Sequence, residues 1–143
     1  MIYFDTSALA KKYVVEAGSE KVMRLMTETS ILATSKLAYP EMLSALARRS
    51  RSGDIPHARF KELLTQFEAD WNCILIIDFH DELLDSIRRL IGKYFLKAAD
   101  SIHLASALWL KQSVKENITF VASDESLLSA ARAEKMSVVN PRG

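Results

Sequence analysis

The chain has 143 residues, 49% of them hydrophobic and 26% charged, with only 4 glycines and 3 prolines; this is the profile of a compact, helix-rich single domain spanning 1–143, and it excludes a disordered, fibrous or low-complexity protein. Lys plus Arg number 19 against 18 for Asp plus Glu, so net charge does not point to a polyanionic partner, and any nucleic-acid surface must come from local clusters. The lone Cys73 cannot form an intramolecular disulfide, no basic segment leads into a long apolar stretch at the start, and no apolar run nears the roughly 20 residues that span a bilayer, so a cytoplasmic protein without membrane contact is expected.

The first segment, "MIYFDTSALA", is a short apolar run, Ile2 to Phe4, that reads as a strand buried on both faces and ends in Asp5. A helical pattern follows from Ser7 to Val14 and another from Ser19 to Glu28. Ile31 to Ala33 is a weaker strand candidate. Helical spacing returns from Pro40 to Ser50 and from Pro56 to Trp71, and in "RSGDIPHARF" Gly53 ends one helix, Asp54 can cap the next and Pro56 sits in its first turn. With no strand between them, residues 40–71 read as a helical hairpin standing apart from the sheet as an arm. Ile74 to Ile77 is the next strand, followed by helices over His80 to Phe95 and Ala98 to Val114. The chain closes with a strand at Thr119 to Ala122, a helix at Asp124 to Glu134 and a strand at Ser137 to Val139. Strands alternating with helices require crossover connections, which predicts a central parallel sheet of about 4–5 strands covered by helices on both faces.

In an open α/β sheet, ligands bind outside the carboxyl ends of the strands. Asp5 follows the first strand directly, and Asp124 follows "TFVAS", so both acids belong to that edge. Each also sits where a helix N-cap would accept backbone N–H bonds, and position alone does not separate the two roles. Asp100, in "KAADSIHLASALWL", is flanked by small and apolar residues near a helix start; it is either a dipole-favoured first-turn acid or an acid lining a cleft. It shares a face with His103, for which a structural hydrogen bond is the expected role. Glu41 opens "PEMLSALARRSR" on the face carrying Ser44, Ala45 and Arg48. That face could hold a cation at one end and, through Arg48, Arg49 and Arg51, guide phosphates at the other.

Carboxylates without a thiolate pair or clustered histidines suit hard cations such as Mg²⁺ or Mn²⁺ and do not suit zinc. No glycine loop of the Walker or dinucleotide type is present. Four stretches, "YFDTSALAKKYVVEAGSE", "TSKLAYPEMLSALARR", "AADSIHLASAL" and "TFVASDESLLSAARAEKMSVVNP", together resemble a PIN-domain ribonuclease of the kind found as the VapC-type toxin of toxin–antitoxin pairs. The resemblance spans nearly the whole chain. It implies a three-layer α/β/α fold in which Asp5, Glu41, Asp100 and Asp124 surround one or two Mg²⁺ or Mn²⁺ ions, with Ser7 and Ser123 as the small hydroxyl residues beside them. It implies hydrolysis of an RNA phosphodiester by a metal-activated water, and a cognate antitoxin as partner. Lys97, where an Arg often precedes the third acid, and Pro40, directly before Glu41, depart from the common pattern without touching the acids.

Two other readings compete. A haloacid dehalogenase-type phosphatase also begins with an Asp after its first strand, but wants a second Asp where this chain has Ser7. A non-catalytic PIN-like module would bind RNA or protein while its acids only cap helices. Leu43, Leu46, Leu63, Leu64 and Phe67 give the hairpin more apolar surface than an isolated hairpin hides, which predicts a homodimer and an antitoxin packed along it.

Overall fold

The computed structural model describes residues 1–143. Five strands form one sheet in the order β3-β2-β1-β4-β5, with β1 at Ile2–Phe4, β2 at Leu32–Ser35, β3 at Leu75–Ile77, β4 at Thr119–Val121 and β5 at Ser137–Val139. Every pairing is parallel, as the crossovers require. The helices are α1 (Thr6–Ala10), α2 (Ser19–Glu28), α3 (Ala38–Arg51), α4 (His57–Trp71), α5 (Leu84–Tyr94), α6 (Ala98–Val114) and α7 (Glu125–Ala133), with a single 3₁₀ turn at Asp81–Leu83.

The pleat of β1 divides the core. Tyr3 points to a cluster containing Leu90, Leu104, Leu110, Phe120 and Leu127, under α5, α6 and α7. Ile2 and Phe4 point to the opposite cluster, with Leu9, Val22, Met42, Leu46, Leu63 and Phe67, under α1 to α4. Alternate side chains of one strand thus serve both helical layers, which is the three-layer α/β/α arrangement.

Two features differ from the sequence reading. The hairpin α3–α4 does not stand apart: Leu46 and Leu63 are each 1% exposed and Phe67 is fully buried, all inside the cluster beneath β1 and α1. Those three residues of the apolar stripe expected to drive dimerisation are therefore covered by the chain itself, whereas Leu43 and Leu64 stay partly exposed. Asp54 caps nothing, because the N-cap of α4 is Pro56 and no side chain bonds to the helix start there. The hairpin does close at Gly53, whose φ of 86° is the left-handed turn expected after α3.

The chain end is also fixed. Gly18 has φ 95°, and a Cβ there would lie 2.9 Å from the carbonyl carbon and oxygen of Pro141. The backbone N–H of Arg142 donates to Asn140 Oδ1, and Asn140 Nδ2 donates to Glu125 Oε1, each at 2.9 Å. The terminal residues therefore pack on the loop before α2.

Candidate functional site

With the order β3-β2-β1-β4-β5 the chain moves outward from β1 to β3, then returns to the other side of β1 with β4. The carboxyl ends of β1 and β4 flank this reversal, where doubly wound sheets open a crevice. Asp5 follows β1 and its backbone N–H donates to Val121 O of β4 at 3.0 Å. Ser123 and Asp124 follow β4. Glu41 lies in the first turn of α3, which follows β2, and Asp100 in the first turn of α6, which runs back from this edge to the start of β4.

Asp5 is 5% exposed. Its Oδ1 accepts the Ala8 N–H at 2.9 Å, capping α1, and Ser7 Oγ donates to Oδ1 at 2.9 Å and Oδ2 at 3.0 Å. Burial nevertheless pushes its carboxyl up to about 6; His103, the Ala8 N–H and Ser7 pull it down, and Asp100 adds to the rise. Asp100 is half-buried and also raised, first by burial, then by Asp124 and with a contribution from Glu41, against His103 and Lys97. These couplings draw all four acids into one electrostatic cluster. Asp124 is exposed and caps α7 through Leu127 N–H to Oδ1 at 2.9 Å.

Glu41 behaves oppositely. Burial would raise its carboxyl, but hydrogen bonds from His103 and Thr6 outweigh that and hold it below its ordinary value. Thr6 Oγ1 donates to Glu41 Oε1 at 2.6 Å, and His103 Nε2 lies 2.8 Å from the same oxygen. On the far side of the ring Tyr3 Oη is 2.8 Å from Nδ1. Burial and the charge of Asp5 keep the phenol protonated, well above its usual range. The ring is thus held at both nitrogens, by the Tyr3 hydroxyl at Nδ1 and by the Glu41 carboxylate at Nε2. His103, 2% exposed, is a positioning residue for Glu41, in the hydrogen-bonding role expected for it. Neither Tyr3 nor Thr6 stood out in the sequence; Tyr3 looks like an ordinary strand aromatic until the fold sets it against His103.

No three His, Cys, Asp or Glu side chains converge tightly enough to form a ready-made ion cage. The donor chemistry still fits a hard cation that keeps much of its water: carboxylates and hydroxyls, two of the acids with raised carboxyls that a nearby cation would lower, and Ser123 Oγ buried without a hydrogen-bond partner. Two cavities flank the acids and share Ser7 and Arg48. One, of about 490 Å³, includes Thr6 and Glu41. The other, of about 770 Å³, includes Ser123, Arg49, Lys11 and Arg142. Of the three arginines singled out in the sequence, Arg48 and Arg49 line the cleft and Arg51 does not.

A wholly parallel sheet between two helical layers, with acids gathered over the switch point, defines an α/β protein whose site lies on the carboxyl edge. Its particular family follows from comparison: the PIN domain model matches residues 2–133, and the chain belongs to that family. Ribonuclease VapC45 of Mycobacterium tuberculosis is 31% identical over 108 residues, covering 76% of this chain and 75% of the relative. Ribonuclease VapC47 of the same species is 30% identical over 145 residues, covering 99% and 97%. Among solved structures, FitAcB from Neisseria gonorrhoeae superposes with a TM-score of 0.67 at 20% identity, covering 99% of this chain and 98% of that one. VapBC2 from Rickettsia felis, bound to a DNA fragment from its promoter, gives 0.68 at 13% identity, covering 98% of each chain. The parallel, three-layer PIN-like fold inferred from the sequence is the fold observed, apart from the packing of the α3–α4 hairpin.

Proposed function

We propose that this protein is a metal-dependent endoribonuclease acting as the toxin of a toxin–antitoxin pair. The observation that carries the proposal is the convergence of Asp5, Glu41, Asp100 and Asp124 on the carboxyl edge at the β1/β4 switch, where Asp124 and Glu41 raise the Asp100 carboxyl and Asp100 adds to the rise of Asp5. The relatives named ribonucleases, matched over three quarters or more of the chain, supply the substrate class.

Asp5, Asp100, Asp124 and Glu41 would hold the cation, Mg²⁺ or Mn²⁺, as one or two ions, with Ser7 and Ser123 beside them. When bound, it supplies Lewis-acid activation of a water and neutralises charge on the scissile phosphate. The chain's own contribution is orientation. Thr6 and His103 fix Glu41 as an ionised carboxylate, Ser7 and the Ala8 N–H fix Asp5, and the α7 cap fixes Asp124. No side chain acts as a nucleophile, and Arg48 and Arg49 are placed to contact phosphates. A cytoplasmic setting, a homodimer and a cognate antitoxin belong to the same proposal; no helix is long and apolar enough to cross a membrane.

The test is cleavage of labelled RNA by protein freed of any antitoxin. Activity with Mg²⁺ or Mn²⁺ should stop in EDTA and fall by at least two orders of magnitude in Asp5→Asn and Asp100→Asn. Full activity in excess chelator would overturn the proposal. Because Asp5 and Asp124 do cap helices, a non-catalytic binding module is the second reading, and RNA binding without cleavage under every metal condition would select it.

A further inference from the structure

The larger cleft holds a second charge cluster beside the acids. Lys11, Arg48, Arg49 and Arg142 line it, against two carboxylates, Glu16 and Asp54, and its wall includes Ser7 and Ser123. It therefore adjoins the acidic centre through Ser7, which bonds Asp5, and Ser123, which precedes Asp124, and it carries an excess of positive charge although the chain as a whole is nearly neutral.

Glu16 is engaged at both oxygens. Lys11 Nζ, on a side chain only 6% exposed, donates to Oε1 at 3.1 Å, and Arg49 Nη2 donates to Oε2 at 2.8 Å. One carboxylate thus receives an ammonium and a guanidinium, the pair of donors that also suits a phosphate diester. Arg48 and Arg142 make no ion pair, and Arg48 donates to Ser44 Oγ at 2.6 Å. Arg142 reaches the cleft because the chain end is pinned, by Pro141 over Gly18 and by Asn140 on Glu125.

We infer that Lys11 and Arg49 form a phosphate subsite for the RNA strand next to the scissile bond, that Glu16 is the counter-ion a backbone phosphate displaces, and that Arg142 extends the subsite from the chain end. The inference rests on the ribonuclease reading above and names how that site takes up its substrate. Displacement suits the geometry: a nearly buried ammonium needs an anion beside it at all times, and the exchange of carboxylate for phosphate leaves it paired throughout. Strands that place a phosphate there would be preferred over those that cannot.

The experiment uses the whole protein free of antitoxin, in EDTA so that nothing is cleaved, with a short fluorescent single-stranded RNA titrated over a range of salt. Arg142→Ala, at an exposed position that folding does not need, should bind several-fold more weakly and lower the slope of log affinity against log salt by roughly 0.7, the loss of one phosphate contact. Lys11→Met should do the same. Glu16→Gln should bind more tightly than wild type, because the competing anion is gone, even though it melts earlier. A mere latch between the loop and α3 would instead make Glu16→Gln and Lys11→Met weaken binding together, and that result overturns the inference, as does wild-type affinity in Arg142→Ala. Wild type that cleaves with Mg²⁺ while these variants bind unchanged sinks only the subsite; wild type that neither binds nor cleaves RNA sinks the ribonuclease reading with it.

Discussion

Asp5 shows how one residue can be both a cap and a strained acid. Its carboxyl, raised to about 6 by burial, binds a proton more readily in the folded chain than in the unfolded one. The stability this gives is fully present below the unfolded value near 4 and is lost as pH climbs through about 6, so at neutral pH the ionised Asp5 is a liability in the metal-free protein. Asp5→Asn keeps a capping oxygen and removes the charge. Its melting temperature in EDTA should exceed wild type at pH 7.5, by up to about 3 kcal/mol in stability, and the two should converge toward pH 4. Asp100→Asn should move in the same direction, since its carboxyl is raised for the same first cause. Tyr3→Phe tests the other side of the site. It leaves His103 Nδ1 without its hydrogen-bond partner and should cost about 1–2 kcal/mol in urea denaturation, with a loss of cleavage that tracks the disordering of Glu41.

Among the elements, the strands with unbroken apolar runs were legible: Ile2 to Phe4 and Ser137 to Val139 coincide with β1 and β5. The weak candidate, Ile31 to Ala33, is β2, beside the central strand and running on to Ser35. Its apolar run stops at Ala33, and the polar Thr34 and Ser35 continue the strand. The fold satisfies them internally, Thr34 Oγ1 donating to Phe4 O at 2.7 Å and Ser35 Oγ accepting the Leu37 N–H at 3.1 Å. Long-range pairing of this kind leaves no local trace. The hairpin's two helices were visible in their periodicity, but their packing into the cluster beneath β1 and α1 was not, because an apolar stripe does not say which surface covers it. That docking has a measurable consequence. Phe67→Ala, at a fully buried site, should lose about 3–5 kcal/mol to urea, whereas an arm standing free would lose far less. Gly18→Ala should destabilise by more than 1 kcal/mol, since it strains a left-handed backbone and drives a methyl into Pro141.

For the whole molecule, the four acids come from residues 5, 41, 100 and 124, and only the sheet order brings them together. Their residue types were readable in the sequence, while the network that holds Glu41 was not, because Tyr3, Thr6 and His103 meet only after β1 and α6 have packed. The cluster predicts a stability change that belongs to the entire fold. A cation binding only the folded state adds about 2.7 kcal/mol at a hundredfold excess over Kd. Calorimetry with Mn²⁺ should show that gain in wild type and little of it in Asp5→Asn or Asp100→Asn, reversing their order in EDTA. Equal shifts in all three would remove the metal from the cluster. A monomer by light scattering at micromolar concentration would remove the proposed homodimer.

The register of β1 carries a consequence for timing. Ile2 pairs with Leu32 on one side and with Thr119 on the other, so the first strand made waits for nearly the last one before it has both neighbours. At about 5–20 residues per second, a ribosome leaves β1 half-paired for several seconds or longer. Throughout that interval Asp5 exists without Asp124. The proposed centre takes Asp5 from the end of β1 and Asp124 from the end of β4, so a nascent chain that lacks β4 lacks part of that centre. Nascent chains arrested before Thr119 should be sensitive to protease and inert toward RNA, and both properties should change once β4 has left the exit tunnel.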